Sequence, residues 1–175
     1  LVLLLPGTFR REPPPALLVY CAAVLRAPME EIAAEYKKAH KVQLQLQFGG
    51  SGTLLGNVQV SRTGDLYIAA DASFAATARE KDLVEESLPI ARIHPVILVQ
   101  AGNPKSVRGL SDLIREDLRA SLANPDAASI GTVTRRLLEE RGQWTAAEAA
   151  IQQRGVFKPT VSDVANDVKL GVVDL

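Results

Sequence analysis

Phe48-Gly49-Gly50-Ser51-Gly52-Thr53-Leu54-Leu55 is the stretch around which the chain is organised. Before it, Val42-Gln43-Leu44-Gln45-Leu46-Gln47-Phe48 alternates apolar and polar residues with period two, which predicts a strand. After it, Leu54, Leu55 and Val58 recur at helical spacing, so Ser51 to Thr53 fall at a helix start. A helix start leaves backbone N–H groups unpaired and carries partial positive charge. Read alone, the turn is first a cap whose hydroxyl satisfies its own backbone. The second reading is an anion cradle, in which the glycines let the backbone approach a ligand and Ser51 adds a hydroxyl donor. Two phosphate motifs are excluded, because no Lys follows the last glycine as a P-loop requires and G-x-G-x-x-G is absent.

Working outward, Ala16-Leu17-Leu18-Val19-Tyr20-Cys21 reads as a buried strand, and residues 28–39 as an amphipathic helix with Met29, Ile32, Ala33 and Tyr36 on one face. Ala22-Ala23-Val24 between them is a second strand-to-helix junction. Residues 66–69 predict a short strand, and Asp71-Ala72-Ser73 caps a helix to about Lys81. Residues 93–99 read as a further strand with Pro95 near its start. Then come a short helix at 110–114, a strand at 118–123, and the turn Asn124-Pro125-Asp126-Ala127-Ala128-Ser129-Ile130-Gly131-Thr132 into a helix ending near Arg141. Thr145 is the expected cap of a helix to Arg154. Residues 156–160 are extended, Ser162 or Asp163 caps a helix to Leu170, and 171–175 enter a strand.

Strands alternating with helices predict an α/β fold of βαβ units on mostly parallel sheets, whose ligands bind at the carboxyl ends of the strands. The expected division is a signal remnant or linker at 1–15, a first lobe at 16–90 and a second at 91–175. The apolar start Leu1-Val2-Leu3-Leu4-Leu5 is too short for a whole secretory signal but resembles the end of one, and Arg10-Arg11 follows rather than precedes it.

Composition narrows the function. With 175 residues and 47% hydrophobic side chains the chain can build real cores. Its 20 basic and 20 acidic residues cancel, which argues against nucleic acid as the main partner. The single cysteine, Cys21, excludes an intrachain disulfide and reads as a small buried hydrophobe. His40 and His94 have no nucleophile or carboxylate spaced with them, and no HExxH or paired-cysteine metal motif occurs. Arg135-Arg136 with Glu139-Glu140 reads as a solvated helix face, and Trp144 as an anchor in the second lobe.

Several segments in order resemble the molybdate-binding periplasmic proteins, the solute-binding components of ABC importers with a two-lobed type II periplasmic-binding-protein fold. They are Val19 to Leu25 followed by Met29, Gln47-Phe48-Gly49-Gly50-Ser51-Gly52-Thr53-Leu54, Gly64 to Asp71, Asn124-Pro125-Asp126 through Gly131, and Ser162-Asp163-Val164. The resemblance spans about residues 17–175. It implies a tetrahedral oxyanion held between two lobes by neutral donors at helix starts. By position, these are Val24 and Ser51 from the first lobe and Ile130 and Val164 from the second. Val24, Ile130 and Val164 would offer backbone N–H groups, and Ser51 its hydroxyl as well. A fully ionised oxyanion only accepts hydrogen bonds, so a cage of donors selects it. The family carries Ser where Val24 stands, and it draws a further donor such as Tyr from a strand beyond residue 175; a fragment with an incomplete second lobe is therefore expected.

The resemblance further implies capture of molybdate or tungstate for a membrane permease, in the periplasm or otherwise outside the cytoplasm, free or attached to the membrane. It implies a monomer with no cofactor and no enzymatic role. Competing expectations are an effector-sensing domain of a transcription regulator, which lacks a helix-turn-helix here, a binder of another small oxyanion, and an enzyme on the same scaffold, for which no junction offers an acid, base or nucleophile beyond Ser51.

Overall fold

The computed structural model describes residues 15–175. Of the expected signal remnant or linker at 1–15, only Pro15 falls within them; its carbonyl accepts the Gln43 N–H at 2.9 Å. The elements run β1 (Ala16–Ala22), a 3-10 turn (Ala23–Leu25), α1 (Arg26–His40), β2 (Gln43–Gly49), α2 (Ser51–Ser61), β3 (Leu66–Ile68) and α3 (Ala72–Glu80). After a second 3-10 helix at Leu110–Ile114 come β4 (Ser121–Ala123), α4 (Ser129–Glu139), α5 (Trp144–Arg154), β5 (Val156–Lys158) and α6 (Val161–Lys169).

β1 pairs in parallel with β2 on one side and β3 on the other, with Tyr20 opposite Gln47 and Tyr67. β4 pairs in parallel with β5, Leu122 opposite Phe157. Parallel pairing demands a crossover between partners, and α1, α2 and α5 supply helices in those crossovers. All five strands among the described residues therefore point their carboxyl ends toward the same kind of junction, a turn into a helix. The first sheet packs Val19, Cys21 and Met29 with Leu44, Leu46, Phe48 and Ile68. The second core is larger, with Leu113, Leu118, Leu138, Trp144, Ala147, Ile151 and Leu175 joined by Phe157. Trp144 anchors it, its ring 6.5 Å from that of Phe157 and beneath the Arg135 guanidinium.

The second sheet is tied to α6 by a polar link. Asp167, only 8% exposed, takes the Lys158 ammonium of β5 at 3.1 Å and the Ser121 hydroxyl of β4 at 3.2 Å. Arg154 closes α5 by donating to the carbonyls of Arg115 and Leu118. The expected Arg135–Glu139 pair forms at 2.7 Å on an exposed helix face.

Several expectations are corrected. Residues 93–99 form no strand: among the described residues none of the strands pairs with them, and Pro95 has no N–H to give a ladder. Val96 is accordingly 83% exposed. The strand expected at 118–123 is cut to Ser121–Ala123. α5 begins at Trp144 rather than behind a Thr145 cap. α6 begins at Val161, capped by Thr160, whose hydroxyl accepts the Asp163 N–H at 3.2 Å. Residues 171–175 are not a strand, although Asp174 N–H donates to Arg119 C=O and Ser121 N–H to Leu175 C=O.

Candidate functional site: a cavity ringed by helix starts

At the carboxyl ends of the strands lies a cavity of about 360 Å³. β1 delivers Ala22, Ala23 and Val24 to it, β2 delivers Gly49, Gly50 and Ser51, and β3 delivers Ala70 and Asp71. Ala128, Ser129 and Ile130 follow from β4, and Thr160 and Val161 from β5. Residues 93–96 complete the wall. Four helical segments thus begin at one space: the turn at Ala23, α2 at Ser51, α4 at Ser129 and α6 at Val161.

Ser51 is its most constrained member. It is 1% exposed, and its Oγ accepts the Ala70 N–H at 3.1 Å and the Ser129 hydroxyl at 2.9 Å. The Tyr67 hydroxyl donates to the Ser51 carbonyl at 2.8 Å, fixing the first turn of α2, and burial pushes that phenol well above its ordinary pKa, so it stays a donor. The glycines beside Ser51 serve backbone packing. A Cβ on Gly50 would lie 2.3 Å from the Ala127 oxygen and 2.7 Å from that of Pro159, and one on Gly52 2.6 Å from the Asp126 oxygen. That approach lets the Ala127 carbonyl accept the Gly52 N–H at 3.0 Å and the Thr53 N–H at 3.4 Å. The glycine-rich turn is therefore pressed against backbone from the second half of the chain, a contact that neither the cap reading nor the anion-cradle reading of the sequence includes.

Among the described residues no lysine or arginine lines the cavity. The one carboxylate among its described lining residues, Asp71, caps α3 by accepting the Ser73 N–H at 2.8 Å and also the Ser73 hydroxyl. The wall is mostly apolar; its polar groups are the serine and threonine hydroxyls, the backbone at the helix starts, His94 and the Asp71 carboxylate, and the hydroxyls and helix-start N–H groups are the donors it can offer a small acceptor-rich guest. Among the described residues no cluster of three or more His, Cys, Asp or Glu can hold a metal, and no helix is long and apolar enough to cross a membrane. Cys21 is fully buried, and burial raises its thiol to about 11.

Of the residues singled out from sequence, Val24, Ser51 and Ile130 border this cavity. Val164 does not. Because Thr160 caps α6, the helix begins three residues before Val164, whose N–H is already committed to the Thr160 carbonyl at 3.3 Å. Val164 lines instead an adjoining, mostly apolar cavity of about 510 Å³ with Leu110, Leu113 and Leu175. Val161 is the α6 residue at the first cavity. From sequence the helix start near Ser129-Ile130 is marked but only Ile130 is carried to the ligand, and His94 is set aside as a surface or packing residue; the structure puts both Ser129 and His94 on the wall.

The chain matches the bacterial extracellular solute-binding proteins over residues 17–175. It is 28% identical over 162 residues to the molybdate-binding protein ModA of Mycobacterium tuberculosis, covering 91% of this chain and 59% of that protein. The chain thus spans about three fifths of the length of this curated relative. Among solved structures, the periplasmic molybdate-binding protein of Azotobacter vinelandii superposes with a TM-score of 0.65 at 16% identity, covering 90% of this chain and 68% of that one. The sulfate-binding protein SubI of Mycobacterium tuberculosis does so at 0.62 and 13% identity, covering 91% and 63%. At these identities the likeness is one of fold, and it makes the α/β architecture that of the periplasmic binding proteins.

Proposed function

The chain belongs to the family of bacterial extracellular solute-binding proteins, and from that premise we propose that it captures a tetrahedral oxyanion, molybdate or tungstate, outside the cytoplasm and passes it to a membrane permease of the ABC type. One observation carries this reading: the starts of the turn at Ala23, α2, α4 and α6 border a single cavity with no lysine or arginine among its described lining residues. Such a wall suits an anion that only accepts hydrogen bonds, held by backbone N–H groups, by Ser51 and by oriented helix dipoles. The names of the curated relative and of the Azotobacter neighbour point to molybdate as the first ligand to try. Val24 contributes an N–H in place of a hydroxyl, and Ile130 and Val161 supply the second half's backbone donors. Val164 takes no direct part in this scheme. The role is binding and release, with no chemical step.

The test is a thermal-shift screen of the full chain with molybdate, tungstate, sulfate, phosphate and chloride. Binding to the folded state alone adds about 2.7 kcal/mol at a ligand concentration one hundred times Kd. A rise in Tm with molybdate and tungstate and little with the others is the expected result. An equal response to all five, or none, contradicts the reading.

A further inference from the structure

The donor inventory of the cavity has a gap and something that fills it. Val24 has no hydroxyl, and the Gly52 and Thr53 N–H groups at the start of α2 are taken by the Ala127 carbonyl. Among the described residues, Ser51 is then the only one from the first half of the chain that brings a hydroxyl to the wall. Directly across from it stands Ser129, opening α4, 6% exposed, with its Oγ 2.9 Å from Ser51 Oγ. Ser51 Oγ also accepts the Ala70 N–H. The two hydroxyls hold two protons between them. One lies on the line joining the oxygens, and the other, whichever oxygen bears it, is left for a third acceptor. Both residues border the cavity.

We infer that Ser129 is an oxyanion-binding residue that supplies, from the second half of the chain, the hydroxyl missing at Val24. This rests on reading the cavity as an oxyanion site. Without a ligand the Ser129 hydroxyl donates to Ser51, and the second proton of the pair finds no acceptor within it. When an oxyanion enters, each turns its proton to it, exchanging one neutral hydrogen bond for two to a charged acceptor, which are the stronger kind. The Ala70 N–H remains on Ser51 throughout and keeps that oxygen oriented. Ser129 would in this way link the two halves through the ligand as well as through the direct contact between the hydroxyls.

The test is calorimetric titration of sodium molybdate into the full chain and its Ser129→Thr, Ser129→Val and Ser51→Ala variants, with the ligand-free Tm of each measured alongside. Thr and Val have nearly the same shape and differ in the hydroxyl. Ser129→Val is expected to weaken binding about ten-fold or more, the usual worth of a hydrogen bond to a charged group, while Ser129→Thr retains most of the affinity. Adding Val24→Ser to Ser129→Val should recover part of the loss. If Ser129→Val fails to fold, Ser129→Ala takes its place in the same comparison. Equal affinity for Ser129→Val, or its Ala substitute, and the unsubstituted chain, with Ser51→Ala weakened, overturns the inference and leaves the oxyanion reading intact. Absence of molybdate binding by the unsubstituted chain overturns both.

Discussion

Ser51 is the residue on which the rest converges, since its side chain, carbonyl and position at the head of α2 are each engaged by a different element. Ser51→Ala should lower oxyanion affinity about ten-fold or more, as expected for loss of a hydrogen bond to a charged group, when measured by calorimetry. Tyr67→Phe acts at one remove. It frees the Ser51 carbonyl and should cost about 1 kcal/mol of stability in denaturant unfolding, with a smaller loss in affinity. Asp71 carries the one negative charge among the described residues of the wall and caps α3. Asn caps as well as Asp, so Asp71→Asn should keep the fold and raise anion affinity, by an amount that shrinks as salt is added. The Cys21 thiol, buried and raised to about 11, should resist maleimide in the native state at neutral pH and react on unfolding, because the thiolate is the reactive form. Ser51 and Cys21 were legible in sequence because each sits in a local pattern, a strand-to-helix turn and an apolar run. Ser129 was not, since only its partner across the cavity distinguishes it from an ordinary helix-start serine.

At the scale of elements, the strand-to-helix junctions at Val24, Ser51 and Ile130 follow from periodicity that a reader of the sequence can see, two in the strands and 3.6 in the helices. What escapes is whatever depends on a partner distant in sequence. Residues 93–99 have the composition of a strand, yet a strand is defined by its neighbour, and the described residues place none beside it. α6 starts at Val161 because Thr160, which reads as part of an extended run, turns its hydroxyl back to the Asp163 N–H. Thr160→Ala removes that cap and should cost about 0.5–2 kcal/mol in denaturant unfolding. Asp167 holds α6 to both strands of the second sheet. Asp167→Ala leaves the Lys158 ammonium and the Ser121 hydroxyl without their partner and should cost about 1–3 kcal/mol by the same measurement.

For the whole molecule, the division of the chain into two sheets, each with its strand ends facing the shared cavity, is what the binding account needs. The glycines at 50 and 52 belong to this scale, because their lack of a Cβ lets the Ala127 turn lie against the head of α2. Gly50→Ala would force a Cβ against two backbone oxygens, which no side-chain movement relieves. It should separate the two halves at this point, lowering Tm and oxyanion affinity together, while substitution at the unobstructed Gly56 should leave affinity unchanged. The central claim is that the helix starts of both halves surround one oxyanion. Crystals of the full chain grown with molybdate, with anomalous data collected at the molybdenum edge, test it directly. The account predicts a single molybdenum peak in the cavity, within hydrogen-bonding reach through its oxygens of Ser51, Ser129 and the Val24 and Val161 amides. A peak elsewhere on the molecule, or a cavity without one at saturating molybdate, would contradict it.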